Sequence, residues 1–217
     1  MFETVLPKNA KNALAVLGKS GILQQAYMAG GTGLALQINH RFSFDFDFFT
    51  ANKFDAEILV QRIKELIPEF ELEKKEWRTI LGKIRSTRFS LFYYAYPLLF
   101  GTQKFLGIDI ADIKDIAPMK IAAISDRGSK KDFIDLYFII KIEKKLSLEE
   151  CLELYDEKFK SLKENKVHVL KSLTYFEDAD KQSGLKMIKK ADWKEVKKFF
   201  QREVFAIDTL LGGGIIK

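Results

Sequence analysis

Apolar and polar residues alternate with two different periods along the first half of the chain, one typical of helices and one typical of strands. Apolar positions at helical spacing after Pro7 predict a helix that stops near Gly21. Residues 55–67 form a second amphipathic stretch, which begins with an aspartate cap and is ended by a proline. Between residues 70 and 96 several runs alternate at period two, which predicts two or three antiparallel strands. Residues 1–111 are therefore expected to form an α+β core.

Helical patterns replace the strands from Asp112 onward. Asp112 and Asp115 are spaced as at a helix start, and Ser147 with Glu150 has the spacing of a capping box. The predicted helices run over about 112–128, 129–144, 147–163, 167–176 and 192–211. The expected fold class is therefore α+β, a mixed sheet with flanking helices that is followed by a C-terminal helical region over residues 112–217.

Composition narrows the class of protein. The 217 residues are 47% hydrophobic and include 19 Phe, which is enough apolar side chain for a sizeable core. No stretch approaches the roughly 18 consecutive apolar residues of a membrane span, and the N-terminus lacks a basic region followed by an apolar one. The single cysteine, Cys151, suits a reducing compartment, and two histidines argue against a zinc site. We therefore expect a soluble, cytoplasmic protein with no membrane partner.

Candidate chemistry lies in a short strand, a glycine turn and a helix near residue 30. Gly30 and Gly31 let backbone amides approach a ligand at the helix N-terminus, where the Thr32 hydroxyl also suits a phosphate. Asp45 and Asp47 follow in an alternating run from Phe44 to Phe49, so both point to one face of a strand. Two adjacent carboxylates repel each other unless a divalent cation lies between them, and Mg²⁺ is bound by carboxylates together with substrate phosphates. The simpler alternatives are a tight turn and two solvent-facing aspartates.

Two sequence blocks resemble a known family. The first runs AGGTGLAL from residue 29 and HRFSFDFDFFT from residue 40, and the second runs DIAPMKIAAI from residue 115 and RGSKKDFIDLY from residue 127. Their order and spacing are similar to the AbiEii/AbiGii toxin family within the DNA polymerase beta-like nucleotidyltransferase superfamily. The resemblance covers roughly residues 7 to 145.

The resemblance implies a nucleotidyltransferase that uses Mg²⁺ or Mn²⁺ and a nucleoside triphosphate. It further implies tRNA or another RNA as acceptor, an antitoxin protein as partner, and a helical region that completes the active-site cleft. Carried over by position, the metal ligands are Asp45 and Asp47, and the catalytic set adds Lys120 and Asp135. The implied nucleotide-binding residues are Gly30, Gly31, Thr32, Lys120, Arg127, Lys131 and Asp132. Taken alone, Lys120 also fits a surface lysine, and the acids near Arg127 also fit an ordinary helix start.

One departure from the superfamily concerns its third carboxylate. The strand expected to carry it, residues 88–94, contains no acid. Asp109, Asp132 or Asp135 are the substitutes that the sequence offers. If none of them serves, the chain is expected to be a nucleotide- or RNA-binding module that has lost the reaction.

A basic helix near the C-terminus is a candidate contact for RNA. The chain carries a net charge of +6, which permits weak attraction to phosphate polymers. Spacings of three and four place four cations on one helix face, and apolar residues at the opposite positions are expected to pack on the protein. The alternative is an ordinary solvated amphipathic helix. We call these four cations the lysine stripe: Lys194, Lys197, Lys198 and Arg202.

Overall fold

The computed structural model describes residues 1–160 and 162–214, and it separates into two compact units. Unit 1 comprises residues 1–112 and unit 2 comprises residues 113–217. Each unit has its own secondary structure and is described separately.

Unit 1 contains a mixed sheet and three α-helices. The helices are α1 (Lys8–Ser20), α2 (Gly30–Ile38) and α3 (Ala56–Leu66). The strands are β1 (Tyr27–Met28), β2 (Phe46–Thr50), β3 (Phe70–Glu76), β4 (Thr79–Ile84), β5 (Thr87–Tyr93), β6 (Thr102–Phe105) and β7 (Ile108–Ala111). The predicted cap Asp55 accepts hydrogen bonds from the amides of Glu57 and Ile58, and Gly21 ends α1 in a left-handed conformation.

The strand order across the sheet is β3-β4-β5-β2-β1-β7-β6. Strands β3, β4 and β5 pair antiparallel, as the alternating pattern predicted. Two pairs, β2 with β5 and β1 with β7, are parallel, so the sheet is mixed. The hairpin of β6 and β7 was not predicted, because β6 is four residues long and buries only Phe105. The observed α+β class agrees with the sequence.

The core of unit 1 covers one face of the sheet. Phe46, Phe48 and Phe89 are fully buried on β2 and β5, and the rings of Phe48 and Phe89 lie 5.5 Å apart. Residues of α1 and α3 pack against the same cluster. Burial of these large side chains fixes which face of β2 points inward, and the intervening residues of β2 therefore point to the opposite face.

Unit 2 is helical in its described residues. The helices are α4 (Ile113–Arg127), α5 (Lys130–Tyr137), α6 (Leu148–Phe159), α7 (Leu162–Ser172), α8 (Glu177–Asp180) and α9 (Trp193–Leu210). The expected second helix, from Ser129 to about residue 144, is wrong in its length as an α-helix: α5 ends at Tyr137 and a π-helical turn, Phe138–Ile142, follows. None of the described helices has an apolar stretch long enough to cross a bilayer.

Local signals determine the ends of α6. Ser147 and Glu150 form the predicted capping box, with Ser147 accepting from the Glu150 amide and Glu150 accepting from the Ser147 amide. The helix ends at Phe159, before the predicted residue 163, because Lys160 adopts a left-handed conformation. Residue 161 of that predicted helix lies outside the described residues. Cys151 is fully buried on α6, and this burial raises the pKa of its thiol.

A buried ion pair joins α4 to α6. The Lys158 ammonium donates to the Asp115 carboxylate over 2.8 Å, and neither side chain is accessible to solvent. The two residues are 43 positions apart, so no local pattern reveals the pair.

Candidate nucleotide and metal site

The Gly-Gly-Thr sequence forms the first turn of α2. Strand β1 ends at Met28 and α2 begins at Gly30, so the expected glycine turn coincides with the first turn of the helix. The first amides of a helix have no intrahelical acceptor, and they carry the positive end of the helix dipole. The start of α2 can therefore donate hydrogen bonds to a phosphate.

Gly30 lies against the carboxylate of Asp47. Its φ is +65°, a left-handed conformation that other residues adopt only with strain. A Cβ atom at this position would lie 2.9 Å from Asp47 Oδ2. Glycine at residue 30 is therefore needed both for the backbone turn and for the close approach of the carboxylate.

Asp47 lies on the sheet face opposite the core, and Asp45 lies directly before the same strand. Strand β2 begins at Phe46, so Asp45 immediately precedes it, although the alternating pattern placed the strand start at Phe44. Both aspartates are half-buried, whereas the residue that follows each of them, Phe46 and Phe48 respectively, is fully buried. The Ala29 amide donates to the Asp47 carbonyl over 3.1 Å and fixes β2 beside the start of α2. The alternation thus agrees with the outward direction of Asp47, and a shared face for Asp45 stays a prediction.

Thr32 joins the helix start to the segment that carries Asp45. Its hydroxyl lies 2.8 Å from Ser43 Oγ and donates to the Asp45 carbonyl over 2.5 Å, and the residue is buried. The sequence suggested that this hydroxyl contacts phosphates. In the structure it fixes the backbone next to the first carboxylate.

Arg41 is a residue of this site to which the sequence assigned no role. It is 5% exposed, and its Nη1 donates to the Phe42 carbonyl over 3.2 Å. Its Nη2 lies against Gly31, where it occupies the space that a Cβ would need. A buried guanidinium therefore contributes positive charge beside the first turn of α2. The sequence feature that could have identified Arg41 is its position between the glycines and the two aspartates.

Ser90 occupies the sheet position beside Asp47. Strand β5 lies parallel to β2, and the register pairs Asp47 with Ser90. The strand that was expected to carry a third carboxylate is therefore the neighbour of β2, and it presents a hydroxyl at that place.

Asp109 lies within β7, opposite Tyr27 of β1, and thus two strands away from Asp47. Its carboxylate accepts from Thr102 Oγ1 over 2.8 Å and from Lys104 Nζ over 2.7 Å. Burial acts to raise the pKa of Asp109, but the hydrogen bonds from Lys104 and Thr102 outweigh burial and lower the pKa. The Asp109 carboxylate is therefore held by two side chains of β6, the strand that pairs with β7.

The ligand set in unit 1 fits a cation that also binds phosphate. Within residues 1–160 and 162–214, no group of three or more His, Cys, Asp or Glu side chains is arranged to hold a metal ion. Asp45 and Asp47 offer two carboxylates beside a phosphate-binding helix start, and Mg²⁺ is commonly held by one or two carboxylates together with substrate phosphates.

Lys120 of unit 2 is buried between two carboxylates. It is 4% exposed on α4, and its ammonium lies 2.8 Å from Asp132 Oδ1 and 2.6 Å from Asp135 Oδ2. Both aspartates come from α5 and are fully buried. The helical hairpin thus brings together the three residues that the sequence placed there, and Lys120 is not the surface lysine of the alternative interpretation.

Asp132 also accepts from Ser129 Oγ over 2.5 Å and from Arg127 Nε over 3.0 Å. Burial acts to raise its pKa, but Lys120 and Arg127 outweigh burial and hold the pKa at about 2. A carboxylate with so low a pKa is a weak proton acceptor at neutral pH. Lys131, the neighbouring predicted site residue, is half-buried.

The lysine stripe lies on α9, and the apolar residues opposite it, including Val196, Phe199 and Phe200, are buried. Carboxylates accompany three of its four cations. Lys197 pairs with Asp180 over 3.0 Å, Lys198 with Glu195 over 3.1 Å and Arg202 with Glu203 over 2.7 Å. These acids reduce the positive potential that the sequence spacing alone suggested.

The mixed sheet and its flanking helices match the fold of solved nucleotidyltransferase structures over most of each chain. JHP933 from Helicobacter pylori matches with a TM-score of 0.54 at 19% identity over 95% of both chains. MenT4, the nucleotidyltransferase toxin Rv2826c from Mycobacterium tuberculosis H37Rv, matches with a TM-score of 0.52 at 15% identity, over 91% of this chain and 85% of that one.

Sequence comparison gives the family itself. The profile of the nucleotidyl transferase AbiEii toxin of type IV TA systems matches residues 12–97 and 93–212. The chain belongs to the AbiEii nucleotidyl transferase toxin family. An uncharacterized protein of Aquifex aeolicus (strain VF5) is 39% identical over 203 residues, which is 92% of this chain and 96% of that protein.

Proposed function

We propose that this protein is a metal-dependent nucleotidyltransferase toxin that transfers a nucleotide from a nucleoside triphosphate to an acceptor hydroxyl. The observation that carries the proposal is the contact of Asp47 with Gly30, which sets a carboxylate against the start of a helix that can bind phosphate. Family membership supports the same reaction class and an antitoxin as partner.

The triphosphate is proposed to lie at the first turn of α2. Gly31 and Thr32 belong to the first turn of α2, where helix amides lack intrahelical acceptors, and the buried guanidinium of Arg41 adds positive charge beside Gly31. The hydrogen bond from Thr32 to the Asp45 carbonyl keeps the carboxylate segment next to this turn. These groups are already in place, so little ordering is needed when the substrate binds.

Asp45 and Asp47 are proposed to hold Mg²⁺ or Mn²⁺. When bound, such an ion supplies neutralisation of phosphate charge. In the reaction, the acceptor oxygen forms a bond to the α-phosphorus and its hydroxyl proton passes to solvent water. The bond from the α-phosphorus to the bridging oxygen of the β-phosphate breaks, which releases pyrophosphate. The contribution of unit 1 is to position the triphosphate and to stabilise its charge, as in phosphoryl transfer generally.

Two of the three carboxylates considered as substitutes, Asp109 and Asp132, do not readily take the proton of the acceptor hydroxyl. Asp109 is bound by Thr102 and Lys104, and Asp132 has a pKa of about 2. A contact of Lys120 with the phosphates and a catalytic role of Asp135 stay predictions from the family resemblance. RNA, and a tRNA 3′ end in particular, is the acceptor that the resemblance implies.

The proposed metal site is tested with Asp45→Asn and Asp47→Asn. Each substitution is expected to abolish the rise in melting temperature that a triphosphate gives in the presence of Mg²⁺, because it removes one of two adjacent ligands. Asp109→Asn is the matched control, since Asp109 lies on the same sheet two strands away. An unchanged Mg²⁺-dependent shift in both test variants contradicts the proposed site.

Ser90 favours a second candidate function, a nucleotide-binding module without turnover. Incubation with each labelled triphosphate, Mg²⁺ and total RNA separates the two, because only an enzyme transfers the label. If binding occurs without transfer, Ser90→Asp restores a carboxylate beside Asp47 and is expected to produce transfer. Ser90→Asn is the control of similar size without the charge.

A further inference from the structure

An exposed stack of aromatic and cationic side chains closes the hairpin of β3 and β4. Glu76 pairs with Thr79, so Trp77 and Arg78 form the two-residue turn between them. Trp77 is 77% exposed. The Arg78 guanidinium carbon lies 3.6 Å from the centroid of the Trp77 ring and 4.5 Å from that of Tyr93.

The folding of the hairpin does not explain this choice of residues. Arg78 has φ +57°, and two-residue hairpin turns favour Asn-Gly or Gly-containing pairs for such conformations. A tryptophan that remains largely in water gains little from burial. A strained turn that displays a large exposed ring is the kind of exception found at binding sites.

A surface cavity of about 200 Å³ lies near this stack, to which the strand register relates it, although none of the three stack residues lines it. Thr50 lines the cavity, and the sheet register pairs Thr50 with Tyr93. Apolar lining comes from Phe54, Leu59 and Leu91. The cavity is smaller than the roughly 300 Å³ or more of sites that enclose a whole small-molecule ligand, so it suits one ring of a larger ligand.

Polar groups of the cavity complement a polynucleotide. Gln25 and Asn52 bring amides that can donate to and accept from base edges. Lys53 and Arg62 bring positive charge that suits backbone phosphates, and the one acid among the described lining residues, Asp55, is engaged in capping α3. Exposed aromatic rings next to cations are the usual means by which proteins hold unpaired bases. An apolar patch for a protein partner is expected to have fewer charges at its centre.

We propose that unit 1 has a binding site for a single-stranded polynucleotide, in which an unpaired base stacks on Trp77 and the nearby cavity receives the neighbouring nucleotide. The site lies on the core side of β2, since Thr50 is buried with Phe46 and Phe48, whereas Asp47 points to the other face. Thr50 is three residues from Asp47, about 10 Å along the strand. The binding site does not depend on the transfer reaction.

Fluorescence anisotropy with a fluorescein-labelled uridine decamer tests the proposal, with RNA and DNA forms in separate titrations. Trp77→Ala is expected to weaken binding roughly 5- to 150-fold, the range for loss of one stacked base. Trp77→Phe keeps a ring and is expected to lose less. Tyr96→Ala, which removes another exposed aromatic of unit 1, is the matched control with unchanged affinity. Equal affinity for the RNA and DNA decamers indicates binding by stacking alone, and preference for the RNA decamer indicates an added contact to the 2′-hydroxyl.

A second variant addresses the phosphates. The double substitution Lys53→Glu and Arg62→Glu is expected to flatten the dependence of affinity on salt while the Mg²⁺-dependent triphosphate shift is retained. No binding by the wild type, or equal affinity in wild type and Trp77→Ala, overturns the proposal and leaves the stack as a surface for a protein. Loss of transfer with intact decamer binding refutes only the proposed reaction.

Discussion

The buried charge cluster of unit 2 gives a quantitative prediction for Asp132→Asn. Asparagine preserves the shape of the side chain but removes the charge that Lys120 and Arg127 stabilise. The difference between the ordinary pKa of 3.8 and the folded value of about 2 corresponds to about 2 kcal/mol of folding free energy. Because the folded pKa is lowered, this contribution is complete well above pH 3.8 and disappears as the pH falls through about 2.

The stability advantage of wild type over Asp132→Asn is therefore expected to shrink on acidification. About half of the 2 kcal/mol, about 1 kcal/mol, is expected to be lost between about pH 5 and about pH 3. Urea unfolding followed by the fluorescence of Trp193 reports on unit 2, because Trp193 packs 5.9 Å from Phe133, the residue next to Asp132. The measurement uses a Trp77→Phe background, so that Trp193 is the remaining tryptophan.

Arg127→Met provides the control for this experiment. Removing one of the two cations raises the pKa of Asp132, so the pH dependence assigned to Asp132 is expected to become smaller. If wild type and Asp132→Asn lose stability in parallel between about pH 5 and about pH 3, the ion pairs do not stabilise the ionised carboxylate and the reasoning is refuted.

Three further predictions concern single structural features. Gly30→Ala is expected to destabilise unit 1 by about 1 kcal/mol or more and to weaken triphosphate binding. Gly128→Ala shares the positive φ, but its Cβ would lie at an ordinary 3.7 Å from the Ile124 carbonyl, so it is expected to affect stability alone. Equal triphosphate affinity in both variants contradicts the close contact with Asp47. Ser147→Ala is expected to lower the urea midpoint by an amount that corresponds to about 1 kcal/mol, and no change argues against the capping box. Substituting the three lysines of the lysine stripe by glutamate is expected to weaken RNA binding and to flatten its salt dependence, while triphosphate binding stays intact. Identical salt slopes in wild type and variant would indicate that α9 is an ordinary solvated helix.

Local sequence signals were sufficient for much of the fold and part of the candidate site. The cap at Asp55, the capping box at Ser147 and the outward direction of Asp47 on β2 depend on spacings of two or three residues. Such spacings are visible in one sequence because backbone geometry repeats over the same distances.

Contacts between distant residues were not predictable in this way. The direction of the Thr32 hydroxyl depends on how the segment around Ser43 returns to α2, and the pair of Asp115 with Lys158 depends on the packing of α4 against α6. The position of Ser90 beside Asp47 required the parallel pairing of β2 with β5, which the antiparallel pattern of the surrounding strands did not indicate.

The buried thiol of Cys151 makes the protein convenient for site-specific labelling. It is the single cysteine of the chain, and burial both shields it and disfavours the thiolate that reacts with maleimides and iodoacetamides. A cysteine introduced at an exposed position is therefore expected to be modified selectively without prior removal of the native one. A dye attached at exposed residue 96, outside both proposed RNA-contacting surfaces, would follow RNA binding by anisotropy without removing a proposed contact, with the wild-type chain as the unlabelled control.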